Sequence, residues 1–150
     1  MNTKQSKRNI ALFAAYCALM LWLLFGRDRH IDGIPYWEEV QRNMNLIPLN
    51  TVRLYLRLLT APARPHLVRL AIINLFGNVL MFVPLGFFLP SLFAKLRRLW
   101  KTLLLTAWII TLVELAQLLL LVGTCDIDDL LLNVIGAAIG YFLYRAASKP

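Results

Sequence analysis

Four of the eight acidic residues in this 150-residue chain lie within or directly beside long apolar runs. Glu114 is near the middle of one run. The other three, Asp126, Asp128 and Asp129, come just before the next run. A charged side chain at the centre of an apolar span costs about 2.5–3.5 kcal/mol on insertion scales unless it faces water or a partner. Carboxylates in such places can exchange protons or bind Mg²⁺ and Ca²⁺, so these residues are the first candidates for a functional site.

Amide side chains accompany the carboxylates at helical spacing. Gln117 follows Glu114 by three residues, and in another apolar run Asn78 follows an asparagine by four. Residues three or four apart share one face of a helix, so each run presents a polar stripe. Asp126, Asp129 and Asn133 form a third stripe, at steps of three and four residues. We expect the three stripes to converge on one polar pocket between helices. The residues of this predicted pocket are Asn74, Asn78, Glu114, Gln117, Asp126, Asp129 and Asn133.

Each stripe also has an interpretation as helix packing. Asn and Gln side chains join transmembrane helices with about 0.6–2 kcal/mol each, and we favour this role for the asparagines. Asp126 can cap a helix whose positive end also favours nearby carboxylates, and this role can coexist with a functional one. Gly136 and Gly140 fit the small-xxx-small pattern of close helix packing. For Glu114 we favour function, because packing does not require a carboxylate.

The composition indicates the environment in which these side chains act. Hydrophobic residues make up 59% of the chain, charged residues make up 16%, and the mean hydropathy is +0.64. Soluble domains are about 45–50% apolar and about 25% charged, and disordered chains are poorer still in apolar residues. The composition therefore excludes both classes and indicates an integral membrane protein. The net charge of +8 then favours an anionic bilayer surface over nucleic acid as the partner.

Four apolar spans organise the chain into a single predicted membrane domain, residues 1–150. They predict an all-α fold class, a polytopic integral membrane protein with about four transmembrane helices in a small bundle. Around Leu54 and Leu58, beside Arg53 and Arg57, we expect a short amphipathic helix in the membrane interface. The predicted spans cover residues 10–25, 70–89, 103–122 and 130–144.

The distribution of basic residues predicts the orientation in the membrane. Nine Lys and Arg residues lie in the two terminal segments and the 95–101 loop, seven lie between the first two spans, and none lies before the fourth. Because cytoplasmic flanks carry the excess of Lys and Arg, both termini are predicted to be cytoplasmic. Arginines of the long outer loop are candidates for phosphate or lipid head-group contacts, with simple snorkelling as the alternative. They are Arg53, Arg57, Arg64 and Arg69.

Familiar enzyme motifs are missing from the sequence. It contains no Walker loop, no zinc signature and no Ser-His-Asp order, and His30 and His66 lie in the polar loop. No spacing fixes the geometry of the four carboxylates as metal ligands. We therefore assign no catalytic residue, metal or cofactor, and we favour a protein that is not an enzyme.

Four sequence fragments carry a family resemblance. They are NLIPL at 45–49, NLFGNVLMFVPLGFFLP at 74–90, ELAQ at 114–117 and GTCDIDD at 123–129. In this order and at these spacings they resemble the VanZ family of small bacterial membrane proteins, over about residues 45–145. The chain departs from the family pattern at Leu49, where Phe is frequent, and at Thr124, where Arg is frequent. The second departure removes a cation beside the aspartates.

The resemblance implies a multi-pass protein of the bacterial cytoplasmic (inner) membrane with a role at the cell envelope. The namesake of the family is associated with resistance to the glycopeptide antibiotic teicoplanin, and the resemblance supplies no mechanism. We favour binding of an envelope lipid or amphiphile, with membrane lipids or a lipid-linked precursor as partners. Two alternatives stay open. One is a membrane-embedded enzyme that uses the acidic cluster on a lipid-linked substrate. The other is a scaffold that packs on a partner membrane protein through Gly136 and Gly140.

Overall fold

The computed structural model describes residues 3–26, 33–60 and 65–148. This part of the chain is almost entirely helical. Two strands of two residues each, β1 (Met44–Asn45) and β2 (Cys125–Asp126), form a short parallel pair. The helices are α1 (Thr3–Phe25), α2 (Tyr36–Arg42), α3 (Asn50–Leu59), α4 (Pro65–Leu92), α5 (Leu99–Leu120) and α6 (Ile127–Ala147).

Four helices of the described chain are long and apolar enough to cross a membrane, which confirms the predicted fold class. They are the Lys7–Phe25 part of α1 together with α4, α5 and α6. Large apolar side chains on their outer surfaces, such as Trp22, Leu80 and Trp108, are 62–68% exposed. Lipid tails solvate such a surface, so the protein is a multi-pass membrane protein whose apolar residues face outward as well as inward.

The helix ends differ from the predicted spans by a few residues. α4 begins at Pro65 rather than at residue 70, since the fixed φ of proline suits the first position of a helix. α5 ends at Leu120 rather than at residue 122. The next residue, Leu121, adopts a left-handed conformation with φ 55°, which cannot continue a right-handed helix.

α4 and α6 form the closest helix pair of the bundle. A Cβ atom at Gly136 would overlap the carbonyl oxygen of Val79, and one at Gly140 would overlap that of Val83. Both glycines therefore allow the backbones of α6 and α4 to touch, as small residues do between transmembrane helices. α4 of the same chain therefore covers the face of α6 that was a candidate for packing on another membrane protein.

α1 and α5 complete the bundle around an apolar core. Its buried side chains come mainly from α4, with one each from α1 and α5, and most of the surface of α1 is exposed. Three hydrogen bonds of the described residues join α1 to other helices. Asn9 Nδ2 donates to the Ser91 hydroxyl at 3.3 Å, the Tyr16 hydroxyl donates to the Met81 carbonyl at 2.9 Å, and Gln117 Nε2 donates to the Leu24 carbonyl at 2.7 Å. The core residues are Met20, Phe82, Leu85, Leu89 and Ile110.

The predicted amphipathic helix is present as α3, and α2 is a helix that the sequence interpretation missed. α2 rests on the end of α5, where Val40 is buried against Leu118 and Leu121. The β1–β2 pair, with Asn45 opposite Asp126, then brings the loop between α2 and α3 to the start of α6. Residues 33–60 are thereby folded onto one end of the bundle.

Candidate functional site

All seven residues of the predicted pocket line one cavity of about 120 Å³. The cavity lies at the end of the bundle where α3 packs on α4, and where α5 ends and α6 begins. Seven further residues complete its wall. These additional lining residues are Leu24, Thr51, Tyr55, Met81, Phe82, Gly123 and Thr124.

The side chain of Asp126 accepts three hydrogen bonds in the cavity wall. Asp126 is the N-cap of α6, where its Oδ1 accepts the backbone N–H of Asp128 at 2.8 Å. Its Oδ2 accepts from Asn45 Nδ2 at 3.1 Å and from the Thr51 hydroxyl. Asp126 is 7% exposed. Asp126 therefore caps α6 and also ties α3 and β1 to the cavity wall.

Asp128 faces away from the cavity and is fully buried. Its Oδ1 accepts the backbone N–H of Leu49, and its Oδ2 accepts that of Val52 at 3.0 Å. These are unpaired donors at the start of α3, which has no cap from its own N-cap side chain. Leu49 there has a φ of 62°, a conformation that costs a residue other than glycine about 1–2 kcal/mol. Asp128 thus anchors the helix that forms one wall of the cavity.

Glu114 and Gln117 contribute the α5 side of the cavity. Glu114 is 8% exposed, and its Oε2 accepts one long hydrogen bond of 3.4 Å from the backbone N–H of Asp126. Gln117 uses its Nε2 on the Leu24 carbonyl, so its amide joins α5 to α1 as well as lining the cavity. Glu114 is therefore a buried carboxylate that the described residues saturate only in part.

The three asparagines of the cavity have different partners. Asn78 donates to Asp129 and so links α4 to α6, which is the interhelical role expected of such a residue. Asn74 donates to the Leu70 carbonyl in its own helix at 2.9 Å. Asn133 is 3% exposed, and within the described residues its Oδ1 has no hydrogen-bond partner. The side chain of Asn133 therefore presents an unused acceptor at the cavity.

Thr51, Tyr55 and Thr124 are lining residues that the sequence interpretation did not select. The four-residue spacing of Thr51 and Tyr55 places both on one face of α3, which was an available signal. Burial raises the pKa of the Tyr55 hydroxyl, and the negative charges of Asp129 and Asp126 raise it further. Tyr55 therefore keeps its proton at neutral pH and can donate a hydrogen bond.

The candidate arginines lie outside the cavity wall. Arg53 and Arg57 are exposed and follow Thr51 and Tyr55 by two residues each, which places them on the opposite face of α3. Arg69 is exposed on the first part of α4. Arg64 lies outside the described residues. The structure thus separates a basic outer surface from the acidic cavity.

The charges of the cavity determine what it can bind. Glu114, Asp126 and Asp129 bring carboxylates to one polar space inside an apolar bundle. Among residues 3–26, 33–60 and 65–148, no three His, Cys, Asp or Glu side chains are grouped closely enough to hold one metal ion. Carboxylate oxygens accept hydrogen bonds, so the cavity offers several acceptors to a group that donates them.

Fold and cavity define a helical multi-pass membrane protein with a polar site at one end of its bundle. The sequence model of the VanZ/LLP1 family matches residues 8–148, and the chain belongs to this family. It is 25% identical to Protein VanZ of Enterococcus faecium over 138 residues, which are 92% of this chain and 74% of that protein. No solved structure matches the chain. The family match includes most of α1, which precedes the fragments of the sequence resemblance.

Proposed function

We propose that the protein binds the polar head of a cell-envelope amphiphile, a lipid or a lipid-linked precursor, in the cavity at the end of the bundle. The observation that carries this proposal is the convergence of three carboxylates and four amide side chains in one space of about 120 Å³. Polar groups at membrane depth are costly unless they serve a pathway or a ligand. A volume of this size accommodates a small polar head while the acyl chains stay in the surrounding bilayer.

The proposed location is the bacterial cytoplasmic membrane, with both termini on the cytoplasmic side. The end of the bundle opposite the cavity carries the short 95–101 loop, where four of the basic residues lie. This excess favours the cytoplasm for that end and the outer leaflet for the cavity. Reporter fusions test this orientation. A fusion at Thr124 should be active only with an extracytoplasmic reporter, and one at the C-terminus only with a cytoplasmic reporter.

Exposed arginines on the cavity side support a second contact with lipid. Arg53 and Arg57 project from the outer face of α3, and Arg69 from α4. A guanidinium group pairs well with phosphate through two parallel hydrogen bonds. We assign these residues to phosphates of the surrounding bilayer, which would hold α3 against the head-group layer. The ligand head in the cavity is a separate contact.

Native mass spectrometry of gently purified protein tests the binding proposal. The wild-type protein should retain a defined envelope amphiphile, and Glu114→Gln and Asp129→Asn should each lose it. Glu38→Gln is the matched control, because Glu38 is an exposed carboxylate of α2 outside the cavity wall. Retention of the same lipids by all four proteins would exclude the cavity as the binding site.

A link to glycopeptide resistance follows from the family and is tested separately. The namesake of the family is associated with teicoplanin resistance, and an amphiphile-binding membrane protein could alter access of such an antibiotic to the envelope. Teicoplanin susceptibility should change when the wild-type gene is expressed, and the cavity variants should abolish that change at equal membrane levels. If the wild type and both cavity variants change teicoplanin susceptibility equally, any effect on resistance does not depend on the cavity.

A membrane-embedded enzyme is the second candidate function. Glu114 favours it, since a buried carboxylate with one long hydrogen bond is free to exchange a proton with a bound substrate. Asp126 and Asp129 in the same cavity would orient the reacting group of a lipid-linked substrate. Conversion of such a substrate by purified protein, abolished by Glu114→Gln, would support this candidate. Conversion that survives every acidic substitution would exclude it.

A further inference from the structure

A second cavity, of about 320 Å³, lies at the end of the bundle opposite the acidic cavity described above. It is placed where α4 and α6 end and where the chain enters α5, and the beginning of α1 forms one side. Most of its lining residues are polar, and none of those that the structure describes is Asp or Glu. The polar lining residues are Asn9, Ser91, Arg97, Tyr144 and Ser148.

The side chains of this second cavity offer hydrogen-bond donors. Arg97 is exposed, and a guanidinium group carries five N–H donors. The Ser91 hydroxyl accepts from Asn9 Nδ2 at 3.3 Å, which leaves its own proton for another acceptor. Tyr144 packs edge-on against Phe87, with ring centroids 6.3 Å apart, and its hydroxyl has no hydrogen-bond partner among the described residues. One cation and two hydroxyl groups can therefore donate to a bound ligand.

Two buried hydroxyl groups hold the backbone that carries Arg97. The Tyr141 hydroxyl donates to the Arg97 carbonyl at 2.7 Å, and the Thr102 hydroxyl donates to the Leu96 carbonyl at 2.6 Å. Tyr141 is on α6 and Thr102 is on α5, so the loop is tied to both helices. Because the backbone of Arg97 is already ordered, binding a ligand there costs less conformational entropy than it would on a free loop.

Positive charge surrounds the second cavity. Lys95 and Arg98 are exposed in the same loop as Arg97, and the sequence has no Asp or Glu from residue 40 to residue 113 or after residue 129. The preference for Lys and Arg at cytoplasmic flanks accounts for the number of these cations. It requires neither a cavity nor ordered donors around one. The combination of cavity, donors and positive charge favours an anionic ligand.

We propose that the second cavity binds the phosphate group of an anionic phospholipid from the leaflet at this end of the bundle. Arg97 pairs with the phosphate through two parallel N–H bonds, and Ser91 and Tyr144 donate to its other oxygens. Basic pockets between transmembrane helices bind anionic lipid heads in this way. The second cavity shares no lining residue with the acidic cavity, so this site is independent of the function proposed above.

A lipid titration followed by native mass spectrometry tests the proposal on the full-length protein in detergent. The probes are phosphatidylglycerol and phosphatidylcholine with identical acyl chains. Phosphatidylglycerol has a net negative charge, whereas the phosphate of phosphatidylcholine is neutralised by its own quaternary ammonium group. Phosphatidylglycerol should bind at least about tenfold more tightly, a difference of about 1.4 kcal/mol. Glycerol phosphate at the concentration of the lipid should fail to displace it. Complete displacement would assign the cavity to a free phosphate ester instead of a lipid.

Two neighbouring arginines provide a matched pair of variants. Arg97→Gln should weaken phosphatidylglycerol binding by about tenfold. Arg98→Gln removes the same charge from a residue outside the cavity wall and should weaken binding by less than about twofold. Tyr144→Phe, which removes one donor and no charge, should weaken it by about threefold. The lipid comparison on the wild-type protein decides the outcome even where a variant fails to fold.

Three results would overturn the proposal. Equal binding of the two lipids by the wild type would exclude a preference for an anionic head. Equal losses in Arg97→Gln and Arg98→Gln would show attraction by surface charge in general and not by the cavity. Loss of the phosphatidylglycerol preference in Glu114→Gln would place this lipid in the acidic cavity. Retention of the preference in Glu114→Gln, with its loss in Arg97→Gln, supports the second cavity whatever the acidic cavity binds.

Discussion

Replacement of Asp128 by alanine should detach α3 from the bundle. The carboxylate is fully buried and accepts the backbone N–H groups of Leu49 and Val52. A hydrogen bond to a charged group contributes about 1.5–3 kcal/mol, so the loss of two raises the free energy of the docked helix by about 3–6 kcal/mol. The left-handed conformation of Leu49 adds to this effect, because one of the lost bonds holds it in place.

Trypsin cleavage measures this detachment directly. Arg53 and Arg57 are exposed cleavage sites, but cleavage within a helix requires local opening. When opening and closing are fast, the cleavage rate follows the population of the open form. A change of about 3 kcal/mol therefore predicts cleavage of purified Asp128→Ala that is about 100-fold faster than in the wild type. The cleavage rate of Asp128→Asn should lie between those of the wild type and Asp128→Ala, because the amide oxygen of asparagine can still accept one of the two hydrogen bonds.

Two controls make the result decisive. Glu38→Ala removes an exposed carboxylate from α2 and should leave cleavage in α3 unchanged. Size-exclusion chromatography and circular dichroism must show that the four long helices of Asp128→Ala are retained. A folded Asp128→Ala protein with the wild-type cleavage rate in α3 would refute the anchoring role of this aspartate.

Two further predictions concern helix packing and the loop before α6. Gly140→Ala should lower the unfolding free energy in detergent by about 1–3 kcal/mol, because the new Cβ meets the Val83 carbonyl. The new Cβ of Gly77→Ala meets nothing within 4 Å, so this control should be neutral or stabilising by up to about 1 kcal/mol. Equal effects of Gly140→Ala and Gly77→Ala on the unfolding free energy would contradict the close contact between α6 and α4. Burial raises the pKa of the Cys125 thiol, and the charges of Glu114 and Asp126 add to this. Only the thiolate is alkylated, so in a Cys17→Ala background the alkylation rate of Cys125 should increase at a higher pH than the rate of a free thiol. Glu114→Gln should move this pH–rate profile to lower pH. An unmoved profile would argue against an ionised Glu114 near Cys125.

The spans and the pocket were predictable because both depend on local spacing. The apolar runs fixed the four long helices, and the three-residue step from Glu114 to Gln117 placed two side chains on one face. Polar faces of helices that pack together in an apolar bundle have few ways to lie next to one another. The seven predicted residues, which come from three helices and the loop before α6, therefore line one cavity. The spacing of Gly136 and Gly140 predicted a close helix contact, but spacing alone could not show that α4 of the same chain lies against them.

The parts that escaped prediction depend on contacts between distant residues. Asp128 was interpreted through the dipole of its own helix, and nothing local indicates that it binds Leu49 and Val52, more than 70 residues earlier. The short α2 lacks the length that would make a periodic pattern visible. Thr51 and Tyr55 line the cavity because the β1–β2 pair brings residues 33–60 over the end of the bundle.

Photo-crosslinking in living cells tests the central claim, that the cavity binds an envelope amphiphile, most directly. A photoreactive amino acid at Thr124, which is exposed and lines the cavity, samples the proposed ligand. The same group at Trp108, on the outer surface of α5 and 62% exposed, samples the bulk bilayer. The account predicts that mass spectrometry finds one enriched amphiphile on residue 124 and the average lipid composition on residue 108, with Asp129→Asn abolishing the enrichment. The same lipid adducts at both positions would contradict it.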